Sequence, residues 1–375
     1  MPTVLAVLIS LLVISGCATQ QPKNIEYDAN LIDGTALFGE PVAAAPPEDP
    51  LWVSPEMAEF AAIPAYRRMT HYSRFRFLMK KLLDNDYFVE QYVADATHTA
   101  AMTFERRKGN CVSYTNLFVA LAREAGLDAS FQLVTGRPVW NVESGYLVKN
   151  NHINVVLKQI TMPGYTNNEM TVDFNAIDMD EDASRRRISD EHAVSLFYAN
   201  IAIQHLRRQE FTDAFAYLKR AITTAPANQD LWNNLGVLYS VMEQPQMAEA
   251  SYRTALRLEP RNKTAIAGVA KSLEQQGRLE EAQHYAELAR RYQRRNPYYH
   301  FAVAQQAYSK NAYEAALEAV NEAIQIKKRS KFYALRAATA EQLGDNLLAE
   351  ESYRLQDKYR KRSNRISNPL SQRIN

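Results

Sequence analysis

The chain has 375 residues, enough for about two domains of roughly 150 residues each. Its 44 Lys+Arg stand against 42 Asp+Glu, and a net charge of +2 gives no hint of a polyanion-binding surface. Only two cysteines are present, Cys17 and Cys111.

The N-terminus reads "MPTVLAVLISLLVISGC", an apolar run from Val4 to Ile14 closed by Ser15, Gly16 and Cys17. The run is too short to span a bilayer as a stable helix and has the form of a secretory signal. Its ending "ISGC" resembles a bacterial lipobox, although the usual Lys/Arg in the first few residues is missing. That resemblance implies cleavage before Cys17 and lipidation of its thiol. Ala18, rather than Asp, at the next position implies the outer membrane, facing the periplasm. An ordinary cleaved signal with a chance cysteine is the alternative. Under the lipoprotein reading Cys111 is the only thiol left in an oxidising compartment, with no intramolecular partner for a disulfide.

Residues 18–54 are small, polar and rich in Ala and Pro ("GEPVAAAPPEDP"), which predicts a flexible stalk. Helical periodicity begins at Ser54 and runs through "PEMAEFAAIPAYRRM", "SRFRFLMKKLLDND" and "YFVEQYVADATHTAAMTFERR". After Cys111, the residues Tyr114, Leu117, Phe118 and Leu121 share one face of a helix, with Asn110 as N-cap and Gly126 as C-terminal stop. "SFQLVT", "NHINVVLKQ" and "MTVDFNAI" then predict strands. The order of helices followed by strands makes an α+β domain over residues 55–180. Residues 181–194, charged and carrying Arg185, Arg186 and Arg187, predict a solvated linker.

Beyond the linker the sequence repeats. From Gln229, the residues Trp232, Leu235, Gly236, Tyr239, Ala248, Tyr252, Ala255 and Pro260 fall on the eight signature positions of a tetratricopeptide repeat, with its 34-residue period. Weaker copies precede and follow. About five helix pairs over residues 195–362 resemble a tetratricopeptide array, which implies an all-α solenoid whose concave face takes a protein or peptide ligand. The basic end, residues 363–375, reads as a solvated tail.

The chemistry gathers at "RRKGNC". A thiol attacks as thiolate and needs a positive field and a base. Cys111 lies at a helix N-terminus behind Arg106, Arg107 and Lys108, and free N–H groups at that helix start can line an oxyanion hole. Among seven histidines, only His152 begins an extended segment in the same domain. A hairpin turning near Pro163-Gly164 would bring it approximately opposite Asp173. The alternatives are a buried, inert Cys111, a structural His152 and a surface Asp173. Trp140 and Tyr146 are weighed as cleft lining on location alone.

The blocks "GNCVSYTNLFVALAREAGLDASFQLV", "NHINVVL" and "TVDF" resemble the transglutaminase-like core of the papain-like superfamily over residues 90–177. The resemblance implies a catalytic triad of Cys111, His152 and Asp173, with no cofactor or metal. It further implies a thiol enzyme, for which hydrolysis as a cysteine protease or amidase is the preferred expectation; the lipobox resemblance adds membrane contact through the lipid on Cys17, and no nucleic-acid partner is expected. A scaffold built on a retired core, and an acyltransferase or crosslinking enzyme, are the other readings.

Overall fold

The computed structural model describes residues 26–62, 68–87, 93, 95–143, 146–160, 168–174 and 184–367. Short α1 (Thr35–Phe38) and α2 (Pro55–Ala61) precede α3 (His71–Asp84), α4 (Ala100–Arg106) and α5 (Cys111–Glu124). The strands β1 (Ala129–Glu143), β2 (Tyr146–Lys158), β3 (Glu169–Val172) and β4 (Ser184–Ile188) follow. They form one antiparallel sheet in the order β3-β2-β1-β4. Cys17 and the Pro163-Gly164 turn lie outside the described residues.

Helix α5 is buried on every side, from Val112 through Ala122, rather than on the one face its periodicity predicts. It is apolar nearly all round, and such a helix belongs inside a core. The sheet contacts it, as do α2, α4 and α6. The third predicted helix is shorter than its periodicity, with α4 beginning only at Ala100 after its Thr99 cap. The described residues just before it pair through their backbone with the start of α5: Val93 N–H donates to Gly109 O (3.1 Å) and Asn110 N–H to Ala96 O (2.9 Å).

Two sequence expectations are corrected. The Arg run assigned to a linker is β4, an edge strand paired to β1, with Arg187 opposite Gln132 and Ile188 opposite Phe131. Four exposed residues and one buried one give it no readable alternation, and charged side chains suit an edge. The described part of the supposed stalk is instead a strap docked on the helical repeats. Leu31, Ile32, Val42 and Ala45 are buried there.

Five helix pairs follow as the repeat spacing predicts: α6 (Asp190–Arg207) with α7 (Phe211–Thr224), α8 (Gln229–Val241) with α9 (Pro245–Leu258), and α10 (Lys263–Gln275) with α11 (Leu279–Arg294). The last two are α12 (Pro297–Ser309) with α13 (Tyr313–Ile326), and α14 (Ser330–Gln342) with α15 (Asn346–Ser367). The strap lies against α7 and α8. Ala45 N–H donates to Ala216 O (3.0 Å), Tyr239 Oη donates to Leu31 O (2.9 Å), and the Tyr27 ring meets Trp232 at 4.9 Å. It then crosses to the α+β domain, where Ala100 N–H donates to Pro50 O (2.8 Å).

The α+β domain and the first repeats share one hydrophobic core, running from Leu31 to Ala282. Arg123 clamps Asp190 with two bonds (2.6 and 2.8 Å), and Gln204 Nε2 donates to Thr97 Oγ1 (2.8 Å). A second core, built on Tyr298, Val320, Phe332 and their neighbours, serves the last two pairs.

Candidate active site

Cys111 is the first residue of α5, and the sequence around it explains why the helix starts there. Asn110 caps it, accepting the Ser113 N–H on its side-chain oxygen (3.1 Å), while its Nδ2 donates to Thr97 Oγ1 (2.7 Å). Ser113 Oγ donates to Ala96 O (3.1 Å) and accepts the His98 N–H (2.8 Å). Gly109 is required by contact: a Cβ there would lie 2.5 Å from Ser113 Cβ. The amides of Cys111 and Val112 open the helix, where N–H groups have no intrahelical acceptor. The Cys111 thiol is half-buried and is the one free cysteine among the described residues.

His152 stands on β2 opposite Val134, at the point where the pairing with β1 slips. Between Val134 and Val139 the β1 strand carries extra residues against the span from His152 to Asn150. A bulge of this kind re-aims the side chain beside it. Asp173 comes immediately after β3, and the neighbouring Phe174 ring rests on Phe118 (5.3 Å) and Tyr114 (6.5 Å) of α5. The backbone that carries Asp173 is thus anchored to both the sheet and the Cys helix.

These placements bring the three residues together. His152 Nε2 lies 2.8 Å from Asp173 Oδ1 and 2.9 Å from Oδ2, and the same imidazole interacts with the Cys111 thiol. With Nε2 committed to the carboxylate, Nδ1 is the nitrogen left for the sulfur. The side chains of His152 and Asp173 are 21% and 16% exposed, so the array is sheltered but reachable. Burial alone would lower the His152 pKa; the hydrogen bonds and charges of Asp173 and Cys111 outweigh it and push it up to about 9. The ring therefore holds its proton more tightly than a free imidazole, between the carboxylate and the thiol. That is the arrangement in which a thiol works as a nucleophile.

The sequence places His152 and Asp173 approximately opposite each other; the observed register makes them diagonal. Val155 pairs with Val172 and Val156 with Thr171, which carries Asp173 level with Asn154. Asn154 Nδ2 donates to Asp173 Oδ2 (3.2 Å), a contact that no periodicity announces. Of the basic cluster, Arg107 turns away to lie over the Tyr87 ring, 5.2 Å from its centre. Arg106 acts on His98, whose pKa falls through burial and then through that charge. The side chains of Trp140 and Tyr146 lie outside the described ones.

Residues 66–160 match the family model described as "Transglutaminase-like superfamily", and residues 230–262 match "Tetratricopeptide repeat". The first match spans Cys111 and His152 and ends before Asp173. No curated protein matches the chain. Among solved structures, MamA from Desulfovibrio magneticus RS-1 is 16% identical, covering 46% of this chain and 97% of that one at a TM-score of 0.27. Pseudomonas aeruginosa pilF is 19% identical over 45% of this chain and 78% of its own, with a TM-score of 0.27. BtubC (BKLC) from P. vanneervenii is 18% identical over 46% and 82%, with a TM-score of 0.26. Likenesses at these TM-scores carry no argument. The two family matches, falling on the α+β domain and on the second helix pair, make this chain a transglutaminase-like domain joined to tetratricopeptide repeats.

Proposed function

We propose that the protein is a thiol hydrolase, a cysteine protease or amidase, acting through Cys111, His152 and Asp173. The observation that carries the reading is the single imidazole that meets a carboxylate on one side and the thiol on the other. The Cys111 sulfur attacks the carbonyl carbon of a peptide or amide bond. The oxyanion that forms is received by the amides of Cys111 and Val112. His152, cationic, gives its proton to the leaving amine as the carbon–nitrogen bond breaks and a thioester remains. Neutral His152 then removes a proton from water, whose oxygen displaces the sulfur and releases the acid. Asp173 keeps the ring oriented throughout. Water is always at hand, whereas an acceptor amine needs its own site, so hydrolysis is preferred to crosslinking.

The repeats present a substrate or partner protein along their concave face. Lipidation of Cys17 would hold the enzyme on the outer membrane, facing the periplasm. Two experiments test this reading. Comparing the envelope proteomes of the wild type and a Cys111→Ala strain should reveal a protein that accumulates uncut in the variant; identical proteomes under conditions of full expression count against hydrolysis. Metabolic palmitate labelling should appear on the wild type and vanish in Cys17→Ser.

A further inference from the structure

We propose that Asn154 is a positioning residue for Asp173, backed by Gln132, so that the Cys111–His152–Asp173 array continues two side chains further into the sheet. The proposal rests on the thiol-enzyme reading above. Asn154 follows His152 by two along β2 and therefore shares its face of the sheet. It is completely buried, and its Nδ2 donates to Asp173 Oδ2 at 3.2 Å.

Both oxygens of the carboxylate lie within 2.9 Å of a single nitrogen, His152 Nε2. One N–H shared between two oxygens leaves the tilt of the carboxylate to its other contacts, of which the Asn154 amide is the one that comes from β2. A second donor at Oδ2 sets the plane. Asn154 supplies it from β2, an inner strand of the sheet, while Asp173 itself directly follows the last residue of β3.

The far side of Asn154 completes the argument. Its Oδ1 is buried without a hydrogen-bond partner, and so is Gln132 Oε1. Gln132 is the cross-strand partner of Asn154 in the β1–β2 register. Two orphaned amide oxygens on adjacent residues are costly. A half-turn of the Gln132 carboxamide exchanges its oxygen for its NH2, and one bond from Gln132 Nε2 to Asn154 Oδ1 then engages both amides. The amide of Asn154 cannot turn in the same way without presenting an oxygen to the carboxylate. Its orientation is dictated by Asp173, and Gln132 adapts to it. A buried strand position would be filled more stably by valine, so the amide is there for the carboxylate it holds.

The test uses the full-length protein and needs no substrate. His152 is followed by NMR in histidine-labelled protein, its resonance being the one lost in His152→Gln, and Cys111 by peptide-resolved alkylation with iodoacetamide. Asn154→Leu keeps the branched shape and the number of heavy atoms and removes the donor. The expected results are a His152 midpoint about one unit below the wild type and alkylation of Cys111 about tenfold slower, the size of one charge-assisted hydrogen bond. Gln132→Leu should move both readouts the same way by less. A folded Asn154→Leu protein with an unchanged midpoint and rate overturns the proposal. Should that variant fail to fold, Asn154→Ser and Asn154→Ala, which differ by one hydroxyl, decide it: equal midpoints and rates overturn it, and recovery in Ser alone supports it. A wild-type thiol that labels slowly and ignores His152→Gln overturns the enzyme reading beneath it instead.

Discussion

His152 and His192 are perturbed in opposite directions, and together they give the protein a pH of best stability. His152 binds its proton more tightly in the fold, with a pKa of about 9 against an ordinary 6.5. Its contribution is therefore whole below pH 6.5 and is lost as pH rises towards 9. His192, at the start of α6, is held down to about 4 by burial and then by the Arg186 charge. Below pH 6.5 the unfolded chain takes up a proton that the native state refuses, so stability falls as pH drops towards 4. Each arm is on the order of 2–3 kcal/mol. Urea-unfolding midpoints should peak near pH 6.5. His152→Gln should flatten the alkaline arm and His192→Gln the acid arm; a midpoint that climbs steadily from pH 5 to 9 contradicts the assignment. The residues of this array were unequally legible in the sequence. Cys111 and His152 stand out because a lone thiol at a helix start and a histidine leading the apolar run of an extended segment are unusual placements, although the observed β2 begins earlier, at Tyr146, and holds His152 in its interior. Asn154 does not, because its role is defined by strand register, and an asparagine in an extended segment carries no signal of its partner.

At the scale of elements, the repeats were readable because their small residues answer to close approaches between helices. The Tyr252 ring of α9 is wedged between Gly236 of α8 and Gly268 of α10. A Cβ at either position would come within 2.6 Å (Gly236) or 2.5 Å (Gly268) of the ring. Gly236→Ala and Gly268→Ala should each lower stability by about 1–3 kcal/mol through overpacking. This holds even though alanine is the better helix former by about 1 kcal/mol. In a Tyr252→Leu background the same substitutions should cost less, and equal costs in thermal melts of both backgrounds would show that the ring is not the obstacle. Two elements were illegible for physical reasons. Strand β4 faces solvent along most of its length, so its hydrophobic alternation is absent. The strap buries only a few scattered side chains between Leu31 and Ala45 and is held largely through its own backbone groups, which accept from Lys219, Arg220 and Tyr239 side chains of the repeats and leave no trace in composition.

For the whole molecule, the consequence is that the sequence-level division into stalk, enzyme, linker and solenoid does not describe how the chain coheres. One core joins the α+β domain to the first repeats, and the strap, the Arg123–Asp190 clamp and the Gln204–Thr97 bond reinforce the junction. The Gln204 contact reaches the Asn110 cap of α5 through Thr97, so the first repeat helix bears directly on the start of the Cys helix. The last two helix pairs have a core of their own. Native-state hydrogen exchange should therefore show α12–α15 opening at lower free energy than everything before them. Removing residues 297–375 should leave the remaining transition intact, whereas ending the chain at residue 189 should prevent folding. A truncated 1–189 chain that folds cooperatively would refute the shared core.

The central claim is that Cys111 is a nucleophile driven by His152, and the rate of its alkylation tests this most directly. With iodoacetamide at pH 6.5, peptide-resolved labelling of Cys111 in the wild type should be at least about tenfold faster than in His152→Ala, since an adjacent imidazole is the group that activates a nucleophilic sulfur. Asp173→Ala should fall between the two. Slow labelling in the wild type, unchanged when either partner is replaced, would contradict the account.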